Sequence, residues 1–258
     1  MKWLGNPGVR IGLGAASVVA AATLANLLDL GPASEGLAIA ACVAAYVTYV
    51  RLVEKRPATE LAITRRAPVE LAFGFAVGAA LFSVTILLIA LAGHATFAVD
   101  RGAAGLPRPL LAAAVAATFE ELLFRGVLLR ILAGWLGKWW ALATSAAIFG
   151  AMHAFNPNAT VLAVAAIAVE AGILLGAAFL ATGRLWLPIG LHAAWNFTET
   201  GVFGAAVSGH DAPRAYLHTE LAGSTLWTGD TFGPEASLVA VLVCLVVAAL
   251  FLRKISTQ

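Results

Sequence analysis

Glu70-Leu-Ala-Phe-Gly-Phe-Ala-Val-Gly-Ala-Ala-Leu-Phe-Ser-Val-Thr-Ile-Leu-Leu-Ile-Ala-Leu-Ala-Gly93 carries no charge from Leu71 onward. About 20 apolar residues in an α-helix cross the hydrocarbon core of a bilayer, so this stretch reads as a membrane span. Gly74 and Gly78 lie four apart within it, and Gly172 and Gly176 repeat the spacing. Small residues at that interval prepare close helix contacts. Working outward, comparable stretches occur at 11–29, 36–53, 109–133, 138–155, 159–181, 185–205 and 234–252. With 70–93 they predict an all-α, polytopic membrane protein with about eight transmembrane helices.

The whole chain agrees. Its 258 residues are 61% hydrophobic and 12% charged, against about 45–50% and about 25% in soluble domains. A net charge of +2 gives no surface for nucleic acid. Ile11–Leu28, preceded by Lys2 and Arg10, is read as a retained anchor rather than a signal peptide. With the N-terminus inside, all 16 lysines and arginines except Arg101, Arg108 and Arg214 fall in inside connections or near inside helix ends. The positive-inside rule then places both termini and the polar connector 54–69 in the cytoplasm, and 206–233 outside as a long loop. The expected organisation is three N-terminal spans in 1–108, a four-span core in 109–205, and a loop with a last span in 206–258. Cys42 and Cys244 sit in apolar segments without companions and read as packing residues. Trp135, Trp139, Trp140 and Trp186 read as an interfacial aromatic belt in preference to a prenyl-binding wall. Asn196-Phe-Thr198 matches a glycosylation sequon, but inside a span it is a coincidence.

Against this background a few polar residues stand out. Ala117-Thr-Phe-Glu-Glu-Leu-Leu-Phe-Arg125 puts two adjacent carboxylates inside a span, and ionisable groups at such depth mark functional sites. Residues four apart share a helix face, so Glu121 can pair with Arg125 while Glu120, turned about 100° away, stays free for chemistry. Phe149 and His153 share a face, as do His192 and Asn196. Counted by helical rise from one membrane side, Glu120, His153, His192 and Asn196 fall at comparable depth. Glu170 is a further intramembrane acid that could line a chamber, hold a proton or bond a neighbouring helix. His94, His210 and His218 read as solvated loop residues.

At Glu120-Glu121-x-x-x-Arg125, Phe149-x-x-x-His153 and His192-x-x-x-Asn196, the last preceded by Thr182-Gly183-Arg184-Leu185-Trp186-Leu187-Pro188, the chain resembles the CPBP family of intramembrane proteases. This is the Abi or type II CAAX prenyl endopeptidase family, and the resemblance covers about 110–200. It implies that Glu120 and His153 activate water, that His192 and Asn196 stabilise the oxyanion, and that Glu121, Arg125 and Phe149 support the site. The substrate so implied is a hydrophobic or lipid-anchored protein or peptide, including prenylated CAAX-type tails, met within membrane lipid. The expected location is a bacterial or archaeal plasma membrane. Peptide hydrolysis needs a base, an acid and oxyanion donors, and these residue types supply them. Glu120, His153 and His192 could alternatively hold zinc with an open water position, although they lack the His-x-x-x-His spacing of a helix-borne zinc motif. Two rival readings use the same residues: a proton- or cation-coupled transporter, and a catalytically silent immunity or scaffold protein.

Overall fold

The computed structural model describes residues 5–28, 32–211 and 214–256. Lys2 and Asp29, used above for orientation and for the first span's end, lie outside them. Helix α1 (Pro7–Leu27) starts where the Asn6 side chain accepts from the Gly8 and Val9 amides, with proline at the first position. That is an N-cap combined with a residue whose missing N–H costs nothing there. Then come α2 (Pro32–Leu52), a 3₁₀ turn at Thr59–Leu61, and α3 (Arg66–Leu91).

Helix α4 (Pro107–Glu121) passes without a break through a π-helical stretch, Leu122–Leu129, into α5 (Arg130–Leu136). Helix α6 (Lys138–Met152) precedes α7 (Val161–Ile167), which continues through a π stretch, Ala168–Ile173, into α8 (Leu174–Thr182). Helix α9 (Trp186–Phe197) also ends in a π stretch, Thr198–Val202, and α11 (Leu238–Ser256) closes the bundle.

Among the described residues five helices are long and apolar enough to cross a membrane: Pro7–Leu27, Ala33–Leu52, Arg66–Leu91, Val161–Thr182 and Leu238–Ser256. The other three expected spans are helical but built differently. Residues 109–133 carry Glu120, Glu121, Arg125 and Arg130 within their length, α6 has only 15 residues, and α9 has 12 before its π stretch. Of the charges in 109–133, Glu120, Glu121 and Arg125 belong to the site, while Arg130 pairs with Glu54.

The expected loop 206–233 has structure of its own. Strand β2 (Leu217–Leu221) pairs antiparallel with β1 (Ala95–Val99), Ala95 opposite Leu221 and Val99 opposite Leu217. A one-turn helix, α10 (Thr225–Thr228), and 3₁₀ turns lead to α11. The fold is therefore helical with a small two-stranded cap. His94 in this cap is engaged as well, its Nδ1 2.8 Å from the Ala222 carbonyl oxygen and its ring stacked on Trp227.

The opposite end also differs from expectation. The connector 54–69 is polar as expected, yet its Glu54 and Glu60 side chains are almost fully buried. Glu54 pairs with Arg10, Arg56 and Arg130 at 2.6–2.8 Å. Glu60 binds Arg56 at 2.8 Å and accepts the Tyr46 hydroxyl. Burial by itself would raise the Glu54 carboxyl, but the Arg130, Arg10 and Arg56 guanidiniums outweigh it and hold the group at about 2. The cluster knots α1, the connector and α5 together. Trp135, Trp139 and Trp140 nearby in sequence are exposed, as an aromatic belt requires.

The glycine spacings act as packing devices. A β-carbon at Gly74 or Gly78 would collide with the Leu187 or Leu191 carbonyl oxygen of α9, and one at Gly190 with Leu71 of α3. The backbones of α3 and α9 therefore approach as closely as hydrogen allows, which fixes α9 and with it His192 and Asn196. Gly172 packs in the same way on Ala146 of α6. Both cysteines are free and buried, as expected of packing residues.

Candidate active site

The site forms where the end of α4, the end of α6, the middle of α9 and the π stretch before α8 converge. Glu121 is fully buried, and its Oε1 accepts from Arg125 at 2.7 Å, the i, i+4 pair expected from sequence. Arg125, 1% exposed, also donates to the Ala171 carbonyl at 3.1 Å. Its guanidinium lies 4.5 Å above the Phe149 ring, a cation–π contact that makes a buried charge tolerable. Phe149 is the hub of the apolar wall: its centroid is 4.8 Å from His153, 6.4 Å from His192 and 4.9 Å from Phe124.

Despite the 100° turn between them, Glu120 and Glu121 both lie near the His192 ring. Its Nδ1 is 2.9 Å from Glu121 Oε1, and its Nε2 is 3.9 Å from Glu120 Oε2. Glu121 therefore anchors two cations or donors rather than one. Glu120 differs in exposure, its side chain being 25% exposed where Glu121 is fully buried; the Oε2 of each carboxylate has no hydrogen-bond partner among the described residues.

The histidines are oriented through their other nitrogen. His153 Nδ1 lies 2.8 Å from the Phe149 carbonyl, which can only accept, so Nδ1 carries the proton and Nε2 is the free nitrogen. His192 Nδ1 similarly donates to Glu121, leaving Nε2 facing Glu120. Glu120 and His153 share a cavity of about 250 Å³ with Phe124 and Asn156. His153 also borders a second, much smaller cavity lined by His192 and Asn196. Glu120, His153, His192 and Asn196 thus line two spaces that share His153, with Glu121 and Arg125 buried beside them.

Among the described residues no three histidine, cysteine or acidic side chains are gathered so as to hold a metal ion. The donor set Glu120, His153 and His192 does not fit zinc in this arrangement. No step below is routed through a metal.

Sequence reasoning named Glu170 and missed Glu199, Ser208 and Glu235. Glu170 lines the second cavity, the first of its three alternatives, and also takes a bond from Cys244 Sγ at 3.4 Å. Ser208 and Glu235, from the cap, line it as well. Glu199 is fully buried, engaged with Glu235 and Trp195. Glu199 lies three residues past Asn196 and could have been noted as one more acid in a span; nothing in the irregular cap sequence marked Ser208 or Glu235.

Residues 102–198 match the family model described as type II CAAX prenyl endopeptidase Rce1-like. All seven motif residues fall inside this segment, while Glu199, most of the cap and α11 fall outside it. No curated protein and no solved structure matched the chain.

Proposed function

Because the chain belongs, through residues 102–198, to the Rce1-like type II CAAX prenyl endopeptidase family of membrane proteases, we propose that Glu120, His153, His192 and Asn196 hydrolyse a peptide bond of a lipid-anchored or hydrophobic protein. The observation that carries this reading is the division of labour between the adjacent glutamates. Glu121 is fully buried with its Oε1 engaged by Arg125 and His192, whereas Glu120 is partly exposed to its cavity and shares it with His153.

In the reaction, Glu120 takes a proton from water beside the neutral Nε2 of His153, and the resulting hydroxide attacks the scissile carbonyl. The negative charge that develops on the carbonyl oxygen is held by Asn196 Nδ2–H and by His192. As an imidazolium, His192 gives Nδ1–H to Glu121 and Nε2–H to the oxyanion. The 3.9 Å between His192 Nε2 and Glu120 Oε2 is too long for a direct hydrogen bond and of the span that a reacting oxygen would bridge. Protonated Glu120 then returns its proton to the leaving amine, and the bond breaks.

The finer expectations belong to this proposal: eight passes, both termini in the cytoplasm, and a prenylated tail as one substrate. The test is comparative proteomics of membranes from cells carrying wild-type or Glu120→Gln protein. Glu120-dependent C-terminal or juxtamembrane fragments are expected; identical fragment sets would sink the assignment. A glutamate/histidine mechanism also predicts that phenanthroline leaves turnover unchanged. One tightly held zinc per chain, lost in His192→Ala, would reverse that part.

A further inference from the structure

Helix α2 packs on α4 and α3 packs on α9, but α2 and α3 scarcely touch each other. Between them runs an apolar groove of about 310 Å³. Ile39 and Val43 form one wall, Leu71 and Phe75 the other, and Ala114 lies on the floor. Along α4 the groove extends from Leu110 to Thr118, about 12 Å of helical rise. It faces away from the candidate active site, because Thr118 and Glu120, two residues apart, point about 160° from each other around α4.

Leu61 and Trp186 mark one end of the groove. The segment that leaves this end is fastened in place: Trp186 Nε1 donates to the Ala62 carbonyl at 3.3 Å, and Arg184 donates to the same oxygen at 2.8 Å and to Glu70 at 2.6 Å. Arg65 and Arg66 follow, both exposed, and Arg66 starts α3 about 7.5 Å of helical rise before Leu71. Ile63 and Val69 flank the pair and are 89% and 66% exposed. Apolar and cationic side chains presented together suit the boundary between acyl chains and headgroups.

The charges at this end do not cancel. Glu54 and Glu60 are occupied by Arg10, Arg56 and Arg130, and Glu70 by Arg184. The Arg65 and Arg66 guanidiniums have no partner among the described residues. Uncompensated positive charge thus stands at the end of an open apolar groove, and a molecule that answers both is an anion joined to a hydrocarbon chain.

We propose that the groove between α2 and α3 binds an anionic phospholipid, with one acyl chain along Ile39, Val43, Leu71 and Phe75 and the phosphate at Arg65 and Arg66. The chain alone would be met by any lipid; the arginines select the charged headgroup. The site stands apart from the candidate active site and does not depend on which bond that site cleaves.

The test titrates the full chain, in a non-ionic detergent, with phosphatidylglycerol or phosphatidylcholine of identical acyl chains and reads bound lipid by native mass spectrometry. Phosphatidylglycerol should bind about tenfold more tightly or better, since each arginine at a headgroup contributes about fivefold. That preference should vanish in the double variant Arg65→Gln/Arg66→Gln. Ala114→Phe fills the groove and leaves the arginines alone, so it should weaken phosphatidylglycerol binding by about tenfold or more. Val43→Phe, on the facing wall, makes the same test if the first variant does not fold. Equal binding of the two lipids by the wild type would overturn the proposal, as would a preference that survives in the arginine variant. Undiminished phosphatidylglycerol binding in the groove variants would overturn it too, and reduce the arginines to a surface patch. Displacement of phosphatidylglycerol by a farnesylated peptide would give the groove to a substrate's lipid instead.

Discussion

The two ends of the bundle treat glutamate in opposite ways. At one end Glu54 and Glu60 are surrounded by Arg10, Arg56 and Arg130; under the cap at the other, Glu170, Glu199 and Glu235 are buried without any arginine. The Glu121–Arg125–His192 group lies between these extremes, paired on one side and facing the cavities on the other. Burial alone does not tell whether an acid is held as a charge. The counter-ion does, since a paired carboxylate has its charge satisfied by the protein and an unpaired one does not.

That contrast can be broken by removing pairs. The largest effect is expected at Glu121→Gln, which strands the buried Arg125 and should lower stability by roughly 3–5 kcal/mol. Melting in detergent would measure it. Adding Arg125→Gln should recover part of the loss, and a double variant no more stable than the single one would show that the pair is not what Glu121 supplies.

Acid tests the arginine-rich end. Glu54 is held at about 2, below its ordinary value of 4.5, so its contribution is present above pH 4.5 and is lost as the pH falls towards 2. On the order of 3 kcal/mol should disappear over that window. A melting curve flat between pH 5 and pH 2 would contradict the pairing.

Glu120→Gln should leave the fold intact and reduce cleavage by at least about two orders of magnitude, near 2.7 kcal/mol of barrier. A stable but inactive Glu121→Gln beside an active Glu120→Gln would exchange their roles. Gly78→Ala comes last, at about 1–3 kcal/mol of overpacking. Its β-carbon has to push the Leu191 carbonyl on α9, adjacent to His192, so kcat should fall while substrate binding changes little. Unaltered turnover would mean that α9 can shift without disturbing the site.

Features repeated by local periodicity were legible in the sequence. Glu121 with Arg125, Phe149 with His153 and the glycine stripe on α3 each follow from a spacing of four on one helix face. The seven site residues could be named for the same reason, aided by the resemblance their motifs carry. Long-range pairing was not legible: His192 meets Glu121 across 71 residues and Arg10 meets Glu54 across 44, separations that no period encodes. The cap was read as a loop because 206–236 has neither helical nor strand periodicity for most of its length, and β2 is only five residues long.

The π-helical stretches have a consequence for how such a chain can change. Each resembles an α-helix with an extra residue accommodated as a bulge, and each adjoins a buried acid: Leu122–Leu129 follows Glu121, Ala168–Ile173 contains Glu170, and Thr198–Val202 contains Glu199. Deleting one residue beyond Arg125 inside the first stretch would let the helix relax to α with its flanking turns still in phase. Glu120 and Glu121 would keep their places, and Arg130 would stay beside Glu54. The bulge is therefore the point at which one continuous helix, serving the candidate site and the arginine knot, can gain or lose a residue without uncoupling the two.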